Sequence, residues 1–110
     1  MVVKDKPYDS EAFDHFVGVL VSRLEQVAEV AAEWPNLDDE ERLAYVEDWP
    51  VNESLRWKVE DYARRHTLAP RQRAEYQRLK RLEEERWPTL LRLGVRVPPL
   101  TAGAPPKTAY

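Results

Sequence analysis

Residues 10–34 read SEAFDHFVGVLVSRLEQVAEVAAEW, and they carry the clearest structural signal in the chain. Apolar side chains recur here at alternating spacings of four and three residues, a heptad pattern typical of an α-helix with one packed seam. The seam positions are Phe13, Val17, Leu20, Leu24, Val27, Ala31 and Trp34. With Ser10 as N-cap, we expect a helix of roughly 37 Å, long enough to cross a small domain.

The centre of this helix, residues 16–21 (FVGVLV), is apolar almost all round. Its β-branched residues alone would suit a buried strand, but the heptad continues on both sides and favours a helix. A helix that is apolar on every side must be covered on every side. Either the rest of the domain or a second subunit would do this, and Gly18 would allow another backbone to approach closely.

Three of the four tryptophans stand directly before a proline, in Trp34-Pro35, Trp49-Pro50 and Trp87-Pro88. Proline disfavours the helical conformation in the residue before it, so each pair predicts a helix boundary. Asp38 and Asn52 follow the first two pairs as good N-caps, which predicts that the helix stops and restarts there. No such residue follows the third pair, so a kink or a break is expected.

The remaining boundaries follow from end signals. Residues 38–41 (DDEE) have the form of a capping box, Pro70 suits the first turn of a helix, and Gly94 is a natural C-terminal cap. The predicted helices are Ser10 to about Trp34, Asp38 to Trp49, residues 53–66, and Pro70 to Gly94, the last with a kink or break.

These signals predict an all-α fold: a small bundle of four to five helices with one long heptad-patterned N-terminal helix. Residues 1–9 would form a loose lead-in and residues 10–94 a single helical domain. Residues 95–110 hold four prolines and predict an extended or flexible tail.

Composition limits the class of protein. A chain of 110 residues with 43% hydrophobic residues can form one core. It has no cysteine, which excludes disulfides, thiol catalysis and cysteine-bound zinc. No apolar run is long enough for a transmembrane helix, and charges stand where a signal peptide would be apolar. We therefore expect a cytoplasmic protein without membrane contact.

The net charge of −3 is unevenly distributed, because residues 1–54 carry −10 and residues 55–110 carry +7. The two halves could attract each other within one bundle or between subunits, or the basic half could contact nucleic acid. The candidate basic contact face consists of Arg64, Arg65, Arg73, Arg78, Lys80 and Arg81.

Catalytic chemistry finds little support. Glu11 and His15 have the i, i+4 spacing of two metal ligands, but no third ligand accompanies them, and His66 suits the end of a helix. The glycines are isolated, so no phosphate-binding loop forms. We expect no catalytic residue, no metal and no cofactor.

Trp57 differs from the other tryptophans because it precedes no proline and lies among arginines. It would either fill a gap beside another element or form an exposed anchor of the kind found at interface hot spots. The candidate protein interface consists of Phe16, Val17, Val19, Val21 and Trp57. The predicted function is a non-enzymatic protein–protein interaction or assembly module, as a homodimer or as a subunit of a complex. The alternative is a nucleic-acid-binding or antitoxin-like regulatory protein that uses the basic face.

Overall fold

The computed structural model describes residues 9–95, and three α-helices make up most of this part of the chain. α1 spans Ser10–Glu33, α2 spans Asp39–Arg65 and α3 spans Pro70–Leu93, with a short 3-10 turn at Trp34–Asn36. The all-α prediction is confirmed for these residues, whereas the prediction of four to five helices is wrong. The predicted lead-in and tail lie, apart from residues 9 and 95, outside the described residues.

α1 is the central helix of the bundle because both α2 and α3 pack closely against it. Phe13 contacts Tyr62 near the end of α2, with ring centroids 4.8 Å apart, while Arg23 contacts Asn52 nearer the middle of α2. Residues later in α1 therefore contact residues earlier in α2, so these two helices are antiparallel. The buried seam residues of α1 are Phe13, Val17, Leu20, Leu24 and Val27, with Val21 buried beside them.

The helix ends follow three of the predicted signals. The side chain of Asp38 accepts a hydrogen bond from the Glu41 backbone N–H at 2.8 Å, and Glu41 accepts one from the Asp38 N–H, so the capping box is confirmed. Pro70 is the first residue of α3, as predicted. Gly94 ends α3 with a φ of +108°, a left-handed conformation that glycine adopts at low cost.

The N-cap of α1 differs from the prediction. Asp9, one residue before Ser10, adopts the extended conformation of an N-cap and accepts a hydrogen bond from the Ala12 backbone N–H at 3.0 Å. Ser10 is already the first helical residue. A carboxylate at this position also interacts favourably with the positive end of the helix dipole.

The predicted break at Trp49-Pro50 is wrong, because α2 continues through both residues. The fixed φ of proline fits a helix, and the cost is one lost backbone hydrogen bond and a steric clash. Burial of Trp49 opposes this cost. Asn52 does not cap a third helix; it is buried, and its side-chain oxygen accepts a hydrogen bond from Arg23 at 2.9 Å.

The other two Trp-Pro pairs have different outcomes. α1 ends at Glu33, directly before Trp34-Pro35, so this boundary is confirmed. α3 runs without interruption through Trp87-Pro88 to Leu93, so no break occurs there. The first pair lies within a 3-10 turn and is followed by a new N-cap, Asp38, whereas Trp87 and Pro88 lie inside one helix.

The apolar centre of α1 is covered on one side only. Val17 and Val21 are buried in the core, whereas Phe16 and Val19 are half-buried. Gly18 is exposed, and a Cβ placed on it would meet no side chain within 4 Å. Within residues 9–95 the rest of the domain therefore does not cover this segment on every side, and cover by a second subunit stays a prediction. Within that range, no helix is long and apolar enough to cross a membrane.

Candidate functional site

A group of polar side chains lies buried between α2 and α3. We call Glu53, Arg56 and Glu60 of α2, together with Tyr76 and Glu83 of α3, the interhelical cluster. Arg56 is only 2% exposed, although its residue type is almost never fully buried without partners. The spacing of three and four residues along α2 places the cluster on the same face as buried Trp49 and Val59.

Arg56 joins the two helices. Its Nε donates a hydrogen bond to Oε2 of Glu83 at 2.7 Å, and its Nη1 donates one to Oε1 of Glu60 at 3.0 Å. Burial alone would lower the pKa of Arg56, but the hydrogen bonds and charges of Glu83 and Glu60 outweigh burial and raise it. Arg56 is thus held as a buried, fully charged group.

Tyr76 of α3 adds a second hydrogen bond between α2 and α3. Its hydroxyl donates a hydrogen bond to the same Oε1 of Glu60 at 2.6 Å, and the Arg56 guanidinium lies 5.6 Å from the centre of its ring. Burial and the bond to Glu60 raise the pKa of Tyr76 to about 12. For Glu60, burial opposes ionisation, but the hydrogen bonds from Tyr76 and Arg56 prevail and lower its pKa.

Glu53 and Glu83 are the poorly compensated members of the cluster. Burial, followed by the charge of Glu83, raises the pKa of Glu53 to about 7, against a smaller opposing effect of Arg56. Burial also raises the pKa of Glu83, despite its bond to Arg56. The second carboxylate oxygen of Glu83, Oε1, is buried and has no hydrogen-bond partner among the described residues. Burial thus favours the protonated forms of both carboxyl groups in this corner of the cluster.

A cavity of about 20 Å³ adjoins this corner, enough for a group the size of a water molecule. Its polar lining consists of Arg23, Asn52, Glu53, Arg56 and Glu83, and its apolar lining of Leu20, Leu24, Trp49, Trp87 and Leu90. A wider and more open depression of about 310 Å³ shares Arg23, Trp49 and Asn52 with it. The two spaces therefore adjoin each other between α1 and α2.

Metal ligation finds no support in residues 9–95, where no group of three or more histidine, aspartate or glutamate side chains lies close enough to hold a metal ion. His15 lies on the exposed side of α1, next to Gly18 in a shallow depression. His66 follows α2 and stacks on Tyr62 with ring centroids 4.1 Å apart.

The residues of the candidate basic face form mainly intramolecular contacts. Arg78 of α3 forms ion pairs with Glu25 of α1 and Glu75, and Arg65 pairs with Asp61 at 3.2 Å. Arg71, which was not part of the predicted face, pairs with Asp14 of α1 at 2.9 Å. The Arg78–Glu25 and Arg71–Asp14 pairs join the basic second half of the chain to the acidic first half.

Three further basic residues contact aromatic rings or the backbone. The Arg64 guanidinium lies 4.8 Å from the ring of Trp57, and the Lys80 ammonium lies 5.2 Å from that of Tyr76. Arg73 donates a long hydrogen bond, 3.5 Å, to the backbone oxygen of Leu68. Arg81, the last member of the predicted face, is exposed on α3.

The predicted interface residues do not form one surface. Val17 and Val21 are core residues, and Phe16 packs against that core. Trp57 follows Asn52, which contacts α1, by five residues, so helix geometry places it roughly 140° around α2 from that contact. Trp57 is half-buried and lies outside the hydrophobic cluster. It thus sits on another face of the bundle, with Arg64 as its neighbour.

The outward side of α2 carries a regular pattern that we call the outward stripe. Its members lie at helical spacings of three, four and seven residues and are exposed, apart from half-buried Asp61. They are Glu40, Leu43, Glu47, Val51, Lys58, Asp61 and Arg65. Leu43 and Val51 are each 56% exposed, more than any other large hydrophobic side chain among residues 9–95.

Comparison of the chain with known protein families, with curated proteins and with solved structures finds no match. Two features of the described residues are candidates for function, namely the interhelical cluster with its cavity and the outward stripe.

Sequence reasoning missed both features for the same reason. The predicted helix boundary at Trp49 places Trp49 on a different helix from Glu53 and Arg56. It also divides the residues of the outward stripe between two helices. Once α2 is read as one helix, polar residues occupy positions at core spacing, which indicates a buried polar network. The Arg56–Glu60 pair has the i, i+4 spacing of neighbours on one helix, whereas no local pattern indicates Glu83 of α3 as the second partner of Arg56.

Proposed function

We propose that the protein is a non-enzymatic protein–protein interaction module that self-associates through the outward stripe of α2. The observation that carries the proposal is the position of Leu43 and Val51 on one exposed face of one helix. Exposed apolar side chains are common singly, but two on the same face with charged neighbours resemble an interface core with a polar rim.

The charges of the outward stripe favour a second copy of the chain as the partner. Glu40 and Glu47 lie in its first half, and Lys58 and Arg65 lie in its second half. In an antiparallel pair of α2 helices with a twofold axis near residues 52–53, Glu47 would lie opposite Lys58, and Glu40 opposite Arg65. Such an interface is complementary to itself, as a twofold dimer requires.

Hydrophobic contact at this interface would come from the residues near the axis. The two Val51 side chains would lie about 4–5 Å apart along the helix direction, on either side of the axis. Leu43 would lie about 14 Å from the axis, where the carbon stems of Lys58 and Arg65 of the second copy could cover it. Trp57 with Arg64 flanks the stripe at one edge, and tryptophan and arginine are the residue types most enriched among interface hot spots. The proposal therefore retains Trp57 from the predicted interface and leaves the α1 segment out of it.

Sedimentation velocity over a range of protein concentrations tests the proposal. We expect a concentration-dependent dimer that Glu47→Lys or Lys58→Glu weakens about tenfold, because each change places like charges opposite each other. The double variant carries both changes and should restore association, since the opposed charges are again of opposite sign. Glu29→Lys, the same charge change on the exposed side of α1, serves as the control.

A chain that stays monomeric at every concentration would overturn the proposal. A double variant that associates as weakly as the single variants would also overturn it, because charge pairing across the axis would then be absent.

The nucleic-acid alternative receives less support, because Arg78, in the middle of the predicted basic face, pairs with Glu25 and Glu75 of the same chain. Binding to DNA or RNA that weakens steeply with added salt would revive it.

A further inference from the structure

The open depression of about 310 Å³ between α1 and α2, which we call the α1–α2 depression, holds two opposite charges that do not pair with each other. Arg23 of α1 and Asp48 of α2 both line it, and both side chains are exposed. Within residues 9–95, no ion pair involves either of them. A cation and an anion that stay apart in one depression can both bind a ligand that carries the complementary charges.

Asn52 adds a buried hydrogen-bond donor beside Arg23. It is only 4% exposed, and its Oδ1 accepts the hydrogen bond from Nη1 of Arg23, which fixes the orientation of the amide. Its Nδ2 has no acceptor among the described residues, yet it is not sealed from solvent, as the unpartnered Ser54 Oγ and Glu83 Oε1 are. Asn52 borders the α1–α2 depression and the small cavity beside it, so these N–H bonds face that space. A nearly buried donor without an acceptor favours a ligand that supplies one.

We propose that the α1–α2 depression binds a free α-amino acid with an apolar side chain. The carboxylate of the ligand would accept hydrogen bonds from the Arg23 guanidinium, whose planar fork matches a carboxylate, and from Nδ2 of Asn52. The ammonium group of the ligand would donate to Asp48. Asp48 lies four residues before Asn52 on α2, so their Cβ atoms are about 6 Å apart. Two charged groups bonded to one carbon can span this distance with a hydrogen bond at each end.

The same depression offers an apolar wall for the side chain of the ligand. Tyr45 and Trp49, with ring centroids 5.8 Å apart, line it together with half-buried Val30. Its volume lies near the lower end of the range for small-molecule sites, about 300 Å³, which suits a single amino acid. A peptide terminus carries only one of the two charges, and this favours the free amino acid as the ligand.

An NMR titration of the full chain with L-phenylalanine tests the inference. The indole N–H signal of Trp49 should shift with a dissociation constant of about 1 mM, as expected for so small a ligand. The signal of Trp57, which does not line the depression, should stay in place and serve as an internal control. L-Phenylalaninamide lacks the carboxylate and 3-phenylpropionate lacks the ammonium group, so each should bind at least about tenfold more weakly.

Two variants locate the site. Asp48→Asn should weaken L-phenylalanine binding about tenfold and bring 3-phenylpropionate to a similar affinity, because the analogue no longer meets an opposing carboxylate. Arg23→Gln should weaken both ligands. Glu84→Gln and Arg81→Gln, the matched charge removals at exposed positions of α3, should leave binding unchanged. If circular dichroism shows Arg23→Gln to be unfolded, Asp48→Asn and the two analogues decide the matter, since Asp48 is exposed and unpaired among the described residues.

Three results would overturn the inference. The first is the absence of a Trp49 shift with L-phenylalanine at concentrations well above millimolar. The second is binding of 3-phenylpropionate or L-phenylalaninamide to the wild type as tightly as L-phenylalanine. The third is L-phenylalanine binding that Asp48→Asn and Arg23→Gln leave intact. None of the residues that line the depression belongs to the outward stripe, so the inference does not depend on the proposed dimer.

Discussion

Arg56 of α2 and Glu83 of α3 are joined by a hydrogen bond of 2.7 Å in the interior of the bundle, and each is at most 9% exposed. Both helices pack closely against α1, while this charged pair connects them to each other. Removal of one partner from such a pair leaves the other charge buried and uncompensated, which costs far more than the pair itself contributes.

The first prediction concerns this pair. Arg56→Met should lower the free energy of unfolding by about 3–5 kcal/mol, measured by urea denaturation, because Glu60 and Glu83 lose their common donor. The same substitution at exposed Arg81 should change it by less than about 0.5 kcal/mol. Combining Arg56→Met with Glu83→Leu should recover most of the loss. If the double variant is less stable than Arg56→Met, the buried pair is not the cause.

The second prediction concerns pH. Folded Glu53 keeps its proton up to a pKa of about 7, whereas the unfolded chain releases it near 4.5. The folded state thus binds more protons between these values, and stability should fall as the pH rises, by about 3 kcal/mol from this group. Urea unfolding at pH 5 and pH 8 measures the fall.

Glu53→Gln separates this contribution from those of Glu60 and Glu83, whose pKa values are shifted in opposite directions. In this variant the free energy of unfolding should decrease much less between pH 5 and pH 8. At pH 8 it should be higher than that of the wild type. An unchanged pH dependence in Glu53→Gln would assign the effect to other groups.

The third prediction concerns the proline inside α2. Pro50→Ala should raise the free energy of unfolding by about 1–2 kcal/mol, because it restores a backbone N–H and removes the clash with the preceding turn. Pro70→Ala is the matched control, since the first helical position tolerates proline and little change is expected. Thermal unfolding followed by circular dichroism would show the difference. A loss of stability in Pro50→Ala would mean that the native packing depends on the proline ring.

The fourth prediction compares two glycines. Gly94→Ala should destabilise by about 1 kcal/mol, because its φ of +108° disfavours a side chain. Gly18→Ala should instead stabilise by about 0.5–1 kcal/mol, since this helical glycine has open space where a Cβ would lie. Chemical denaturation of both variants measures the two opposite effects. Equal effects at the two positions would contradict the assigned backbone conformations.

Local signals in the sequence predicted much of the fold. The heptad seam of α1, the Asp38 capping box and the Gly94 cap each depend on residues close in sequence, and all are present in the structure. Trp49-Pro50 shows where local reasoning fails. The preference of a residue before proline is weak, and the burial of Trp49 and Asn52 against other helices outweighs it.

The candidate site was less predictable than the fold. The contact between Arg56 and Glu83 joins residues 27 positions apart on two different helices, so no local pattern in the sequence indicates it. The charge difference between the two halves of the chain did indicate internal pairing, and Arg78–Glu25 and Arg71–Asp14 are such pairs. Which arginine would be buried depended on the helix register, which the misplaced break at Trp49 concealed.

The central position of α1 has a consequence for biosynthesis. α1 is the first of the three described helices to leave the ribosome, yet one of its two covering helices is the last, as the 57-residue separation of Asp14 and Arg71 shows. Its apolar seam therefore stays partly uncovered while the rest of the chain is being made, at a time when exposed hydrophobic surface promotes aggregation. The nascent chain can bury its hydrophobic core fully only after α3 has emerged. Synthesis that stalls within α3 would therefore leave an aggregation-prone fragment with exposed apolar surface.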